Sequence, residues 1–189
     1  MRVLLIAPTQ GYDSGYPSFL TITDFPTGLA YLASALKGGG HEVIGLNPNN
    51  DPNYTSAFEM LTAKLRNSLQ KEKPQLIGIS GLCGDYKFLK DTIAIIKNFC
   101  PNVPIVCGGG IINNDAEFIF QTLRPDFCII GEGEEVLVQL ANMIENSQKD
   151  FEQIPNIGYW KEGNPTFTKE NFNYADIDTR SFPDYTPFE

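Results

Sequence analysis

Five short apolar runs in the first 147 residues lack the polar alternation of a half-solvated strand, and longer amphipathic stretches separate them. Leu4-Leu5-Ile6, Leu76-Ile77-Gly78-Ile79 and Cys128-Ile129-Ile130 are the clearest cases. Continuous runs of this kind belong to strands buried on both faces, as in a parallel sheet covered by helices. Strands are expected at Arg2–Ala7, Glu42–Leu46, Gln75–Ser80, Pro104–Cys107 and Asp126–Ile130. Helices are expected at Pro26–Lys37, Thr55–Lys71, Tyr86–Phe99, Asp115–Leu123 and Glu132–Asn146. In the first helix, Leu29, Leu32, Ala33 and Leu36 recur at helical spacing, and Gly38-Gly39-Gly40 supplies a stop. Right-handed crossovers then favour the strand order 2-1-3-4-5. The expected fold class is α/β, a flavodoxin-like doubly wound five-stranded parallel sheet with helices on both faces.

After Asn146 the character changes. Ile157–Trp160 and Pro165–Thr168 flank Lys161-Glu162-Gly163-Asn164, a turn-forming stretch that predicts a small hairpin. Residues Asp176 to Asp184 are acidic and proline-punctuated and read as a linker. The chain therefore divides into a main domain over 1–147 and a hairpin with linker over 148–189.

Fourteen Lys and Arg against 23 Asp and Glu leave a net charge of -9, which repels a phosphate backbone, so nucleic acid is not an expected partner. No apolar run approaches the roughly 18–20 residues of a membrane span, and Arg2–Ala7 is too short for a signal-peptide core, so a cytoplasmic location is expected. Cys83, Cys100, Cys107 and Cys128 show no CxxC spacing, and His41 is the one histidine, so neither a zinc site nor an iron–sulfur cluster is expected in this chain.

An open parallel sheet binds ligands beyond the carboxyl ends of its strands, near the switch in strand order. That rule selects four loops, each containing glycine: Pro8-Thr9-Gln10-Gly11 and onward to Gly15, Gly81-Leu82-Cys83-Gly84, Gly108-Gly109-Gly110, and Gly131-Glu132-Gly133. Glycine at four successive strand ends lets backbone approach a large, flat or extended cofactor. A dinucleotide would require GxGxxG after the first strand, where Pro8 to Asp13 does not supply it, and the P-loop pattern is missing too. Glu132, Glu134 and Glu135 at a helix start suit the helix dipole but oppose a multiply charged phosphate. Glu132, between two glycines, is the candidate contact for a neutral group such as a ribose hydroxyl or an amide.

Taken in order, several of these stretches resemble one family. They are Val3-Leu4-Leu5-Ile6-Ala7-Pro8, Pro26-Thr27-Gly28-Leu29-Ala30-Tyr31-Leu32-Ala33, Gly40-His41-Glu42-Val43, Ile77-Gly78-Ile79-Ser80, Val106-Cys107-Gly108-Gly109-Gly110 and Asp126 to Glu134. The chain resembles the N-terminal cobalamin-binding domain of cobalamin-dependent radical S-adenosylmethionine proteins, some of which are labelled anaerobic magnesium-protoporphyrin IX monomethyl ester cyclases. Ser80-Gly81-Leu82 looks like the family's SxL element and Gly108-Gly109 like its GG element. The resemblance implies that Ser80 hydrogen-bonds the dimethylbenzimidazole of the cofactor's tail, with Leu82 packing near it. By the same resemblance the tail passes Gly108 to Gly110, and Gly131 to Gly133 close its far side. It further implies cobalamin bound base-off. The DxHxxG motif of better-known cobalamin domains is absent, with Asp13-Ser14-Gly15-Tyr16 in its place, and His41 precedes the second strand, at the wrong end of the sheet.

The segment Asp178 to Asp184 resembles the linker into a radical barrel, whose CxxxCxxC motif is not in this sequence. The chain is accordingly expected to be an accessory, non-catalytic part of a methyltransferase or cyclase, with S-adenosylmethionine and a [4Fe-4S] cluster held only in the barrel. Two other classes compete. A flavin mononucleotide carrier needs a hydroxyl-rich loop after the first strand, for which Thr9 and Ser14 are a poor version. A ligand-free interaction module would use Tyr12, Tyr16, Phe19 and Phe25 as a partner surface; covering the corrin or meeting the barrel is the preferred reading of these aromatics. A phosphorelay receiver is weaker still, since Ser80 and Ile130 stand where an Asp ending the third strand and a Lys ending the fifth are required.

Overall fold

The computed structural model describes residues 1–9, 11–12, 25–49, 51, 53–171 and 181–189. The five expected strands form within one or two residues of their expected bounds: β1 (Arg2–Ile6), β2 (Glu42–Leu46), β3 (Leu76–Ser80), β4 (Ile105–Gly108) and β5 (Phe127–Ile129). They are parallel to one another, in the order β2-β1-β3-β4-β5.

The helices are α1 (Thr27–Gly38), α2 (Ala57–Glu72), α3 (Tyr86–Phe99), α4 (Gly110–Asn114), α5 (Ala116–Leu123) and α6 (Glu134–Glu145). Ser56 caps α2 by accepting from the Glu59 N–H, and Asp115 caps α5 by accepting from the Phe118 N–H. Among the described residues, α4 is the one α-helix not expected from the sequence. Five residues are too few to show a helical period, and Asp115 separates α4 from α5 as a fresh cap.

The sheet has seven strands where five were expected, because the hairpin joins it. β6 (Ile157–Lys161) pairs antiparallel with β5, and β7 (Asn164–Phe167) pairs antiparallel with β6. The turn between them has Glu162 at φ 54° and Gly163 at φ 80°, the left-handed pair that a tight hairpin requires. Trp160 fixes the hairpin to α5: its ring stacks on Phe120 at 4.7 Å, Arg124 lies over it, and Nε1–H donates to the Pro125 carbonyl at 2.7 Å.

Side-chain alternation divides the core in two. Leu4, Ile6, Ile77, Ile79, Ile105 and Cys107 face α2, α3, α4 and α5, with Phe88 and Phe120 fully buried among them. Val3, Leu5, Leu76, Val106, Phe127 and Ile129 face α1 and α6.

Residues 172–180, which include most of the expected linker, lie outside the described residues. Beyond them the chain is not extended away from the domain but rests on α1 and β2. The Asp184 N–H donates to the Ala30 carbonyl at 3.0 Å, its carboxylate pairs with Lys37 at 2.6 Å, and Phe188 packs beside Gly45 and against Phe25. Among the described residues, no helix is long and apolar enough to cross a membrane.

Candidate functional site

Every second residue of β3 faces α1 and α6, and those residues are Leu76, Gly78 and Ser80. Gly78 sits in register between Leu5 of β1 and Val106 of β4, both of which carry side chains on this face. One strand further on, Gly108 pairs with Ser80. Small residues thus open a gap in one face of the sheet at its carboxyl end, and α1 and α6 roof it.

The gap is a cavity of about 230 Å³. Its floor is Leu5, Gly78, Val106 and Ile129; its roof is Leu29 and Leu32 of α1 and Leu137 of α6. Gly28 opens the first turn of α1 beside it, where a Cβ would meet nothing within 4 Å. Around the mouth stand Ser80, Gly108, Gly109, Gly131, Glu132, Gly133 and Glu134.

Gly109 is the tightest point. It has φ 89°, a conformation L side chains rarely adopt, and a Cβ there would stand 2.5 Å from Ser80 Oγ and 2.8 Å from the Gly81 carbonyl oxygen. The loops are tied to one another behind it. The Gly81 carbonyl accepts from the Ile111 N–H at 3.1 Å, and Asn113 Oδ1 accepts from the Gly131 N–H at 2.7 Å. The otherwise unexpected α4 is therefore the brace that holds the β4 loop against the loops after β3 and β5.

Of the residues expected at the site, Ser80, Gly108, Gly109, Gly131, Glu132 and Gly133 come together on this cavity. Gly81 is buried behind Gly109, and Gly110 begins α4. Leu82 does not line the cavity and is 69% exposed, with Cys83 and Gly84 also exposed in a 3-10 turn that Asp85 caps through the Leu82 N–H.

Of the loop after β1, Tyr12 lies on the other face. Tyr12 sets its ring on Phe88 at 5.5 Å and its hydroxyl donates to Asp91. Pro8 and Thr9 are buried at the carboxyl edge, and the Thr9 hydroxyl has no hydrogen-bond partner among the described residues. Gly11 is exposed. Gln10, with Asp13, Ser14, Gly15, Tyr16 and Phe19, lies outside the described residues.

Sequence reasoning did not name Leu5, Gly28, Leu29, Leu32, Gly78, Ile79, Val106, Ile129, Glu134 or Leu137 as lining residues. The signal for Gly78 was available: a glycine inside a strand run marks a close approach or a gap. The apolar side chains carry no such signal, since a floor residue and a core residue look alike.

His41 lies at the amino edge, opposite the cavity. It is 5% exposed, and its Nδ1 is 3.2 Å from the Met1 amino group. Burial holds its pKa below the ordinary histidine value, the Met1 ammonium lowers it further, and Glu145 opposes both. The thiols of Cys107 and Cys128 are buried on the sheet, and burial pushes the Cys128 thiol up to about 12 and the Cys107 thiol also upward.

The arrangement has the chemistry of a slot for a thin group: apolar at depth, polar at the mouth, bounded by backbone where a Cβ would collide. The Thr9 hydroxyl, without a partner among the described residues, adds a buried polar atom at the same carboxyl edge. These features suit the flat heterocycle of a cobamide tail, whose base would enter the apolar depth, while the carboxylates of Glu132 and Glu134 at the mouth oppose a multiply charged terminal phosphate.

The sequence model of the B12 binding domain matches residues 25–141. The fold is similar to that of the radical S-adenosylmethionine methyltransferase TsrM from Kitasatospora setae, with a TM-score of 0.69 at 20% identity over 89% of this chain and 30% of that one. It is also similar to the cobalamin-dependent S-adenosylmethionine radical enzyme OxsB, with a TM-score of 0.69 at 18% identity over 90% of this chain and 22% of that one. A cobalamin-binding protein from Desulfitobacterium hafniense DCB-2 follows at a TM-score of 0.52 and 14% identity, over 76% of this chain and 58% of that one. The chain spans under a third of the TsrM and OxsB chains in these alignments. The sequence matches none of the curated proteins with which it was compared.

Proposed function

The chain belongs to the B12-binding domain family, and on that premise we propose that it holds cobalamin base-off, as the accessory domain of a radical S-adenosylmethionine enzyme. The observation that carries the reading is the glycine-bounded slot at the carboxyl edge, whose lining falls within the matched residues apart from Leu5. When bound, cobalamin supplies a cobalt centre able to carry a methyl group or take part in one-electron chemistry.

In this reading the Ser80 hydroxyl hydrogen-bonds the tail's base at the mouth of the slot, and Gly109 keeps the backbone there free of a side chain. Leu5, Val106 and Ile129 exclude water from its depth. Glu132 accepts from a hydroxyl or amide of the linker. The single histidine is at the amino edge, so the domain offers cobalt no imidazole. The longer protein would be a methyltransferase or a cyclase, with S-adenosylmethionine and a [4Fe-4S] cluster in a barrel that follows this chain. A cytoplasmic location suits the four free cysteines, since reducing compartments keep thiols unpaired.

The test is to titrate the protein with hydroxocobalamin, remove free cofactor by gel filtration and record the visible spectrum of the retained fraction. A base-off spectrum is expected, and Gly109→Leu should lose it. Retention of flavin mononucleotide and not cobalamin would overturn the reading.

A further inference from the structure

We propose that the slot selects among cobamides by the lower base, accepting an apolar benzimidazole and rejecting a purine; the inference rests on the cobalamin reading above. Ser80 is the last residue of β3, and Glu132 and Glu134 follow β5, so among the described residues the polar side chains of the slot stand at its mouth.

At depth the slot presents Leu5, Val106 and Ile129 from the sheet and Leu137 from α6, with no side-chain donor or acceptor among the described residues. The strand backbone beneath is committed to the ladder, since Gly78 is paired with Leu5 on one side and Val106 on the other. A dimethylbenzimidazole presents two methyl groups to that floor. An adenine presents an exocyclic amine and ring nitrogens, which would lose water and gain no partner.

Gly78 sets the depth. A Cβ there would stand 2.7 Å from Leu5 Cδ2, so Leu5 leans over the space that the missing side chain leaves. Size and polarity are thus controlled by neighbouring residues of adjacent strands, Leu5, Gly78 and Val106.

The experiment measures dissociation constants by visible-absorption titration for three probes: cobalamin, adeninylcobamide, and cobinamide, which has no lower base. Cobalamin should bind tightest, and adeninylcobamide about tenfold or more weaker, from the cost of an unpaired buried polar group. Val106→Thr keeps the shape of the floor and adds a hydroxyl, and it should narrow the gap between the two bases. Equal affinity for cobalamin and adeninylcobamide, with cobinamide weaker than both, would overturn the selection while leaving the cobalamin reading intact. Failure of all three probes to bind would overturn both.

Discussion

The two faces of the sheet are built from the same strands, yet one is full and the other has a gap. On β3 the face toward α2, α3 and α5 carries Ile77 and Ile79; the face toward α1 and α6 carries Leu76, Gly78 and Ser80. On β4 the first face carries Ile105 and Cys107, the second Val106 and Gly108. The first face is closed by Phe88 and Phe120, both fully buried. A two-sided strand can thus devote one side to stability and leave room on the other for a ligand, with a period of two separating the tasks.

Four outcomes would break or sharpen this contrast, beginning with the largest effect. Replacing Gly109 with leucine brings a side chain against Ser80 Oγ and the Gly81 backbone at positive φ, so cobalamin retention should fall by more than about 100-fold, roughly 3 kcal/mol in binding. Gel filtration with the visible spectrum reads the loss directly, and circular dichroism checks that the fold persists. If the variant retained cofactor, the slot would not be where the cofactor sits.

On the full face, Ile77→Ala should cost about 2–5 kcal/mol in urea unfolding, the range for deleting a buried aliphatic side chain, because Ile77 is fully buried among tightly packed neighbours. Its cobalamin affinity per folded molecule should be unchanged. Gly78→Ala, one residue away on the other face, should show a different pattern: affinity lowered about tenfold, with a stability cost of about 1–3 kcal/mol, the range for overpacking, since its Cβ would stand 2.7 Å from Leu5 Cδ2. If the two variants behaved alike, the faces would not be specialised.

Thiol chemistry reads the same division by another route. Cys107 and Cys128 belong to the full face, and burial raises both thiols, Cys128 to about 12. Cys83 is exposed in the loop after β3. In the folded protein a disulfide reagent should modify Cys83 within minutes and reach Cys107 and Cys128 only on unfolding. Rapid native modification of Cys107 would show that this face opens.

The smallest effect concerns the amino edge. His41 has a pKa lowered by burial, so the unfolded chain takes up a proton before the folded one does. The stability it contributes is complete above the ordinary value of about 6.5 and is lost as pH falls from there through the lower folded value. Unfolding midpoints measured at pH 7.5 and pH 5.5 should therefore differ less in His41→Phe than in the parent. The visible spectrum of bound cobalamin should be the same in both; a changed spectrum would place His41 at cobalt.

Much of this was legible in the sequence, for reasons that also explain what was not. The strands were readable because runs such as Leu76-Ile77-Gly78-Ile79 are short, apolar and bounded by turn residues. The hairpin was readable from Glu162-Gly163, but its addition to the edge of β5 was not, since docking depends on contacts such as Trp160 on Phe120 that no local pattern encodes. The terminal segment reads as a linker by composition, yet Asp184 to Phe188 lie on α1 and β2 through the Lys37 ion pair and an aromatic contact with Phe25.

The mouth of the slot was legible because Ser80, Gly108, Gly109 and Gly131 to Gly133 fall at strand ends, where the topology directs ligands. Its floor was not. Leu5, Val106 and Ile129 satisfy the core pattern as well as Val3 or Leu76 do, and only the three-dimensional structure shows that they line a cavity beside Gly78.

A crystal structure of the protein grown with hydroxocobalamin tests the central claim most directly. The account predicts density for the lower base between Gly78 and Leu32, flanked by Leu5 and Val106, with cobalt free of any histidine. A lower base coordinated to its own cobalt, or density on the face covered by α2 and α3, would contradict it.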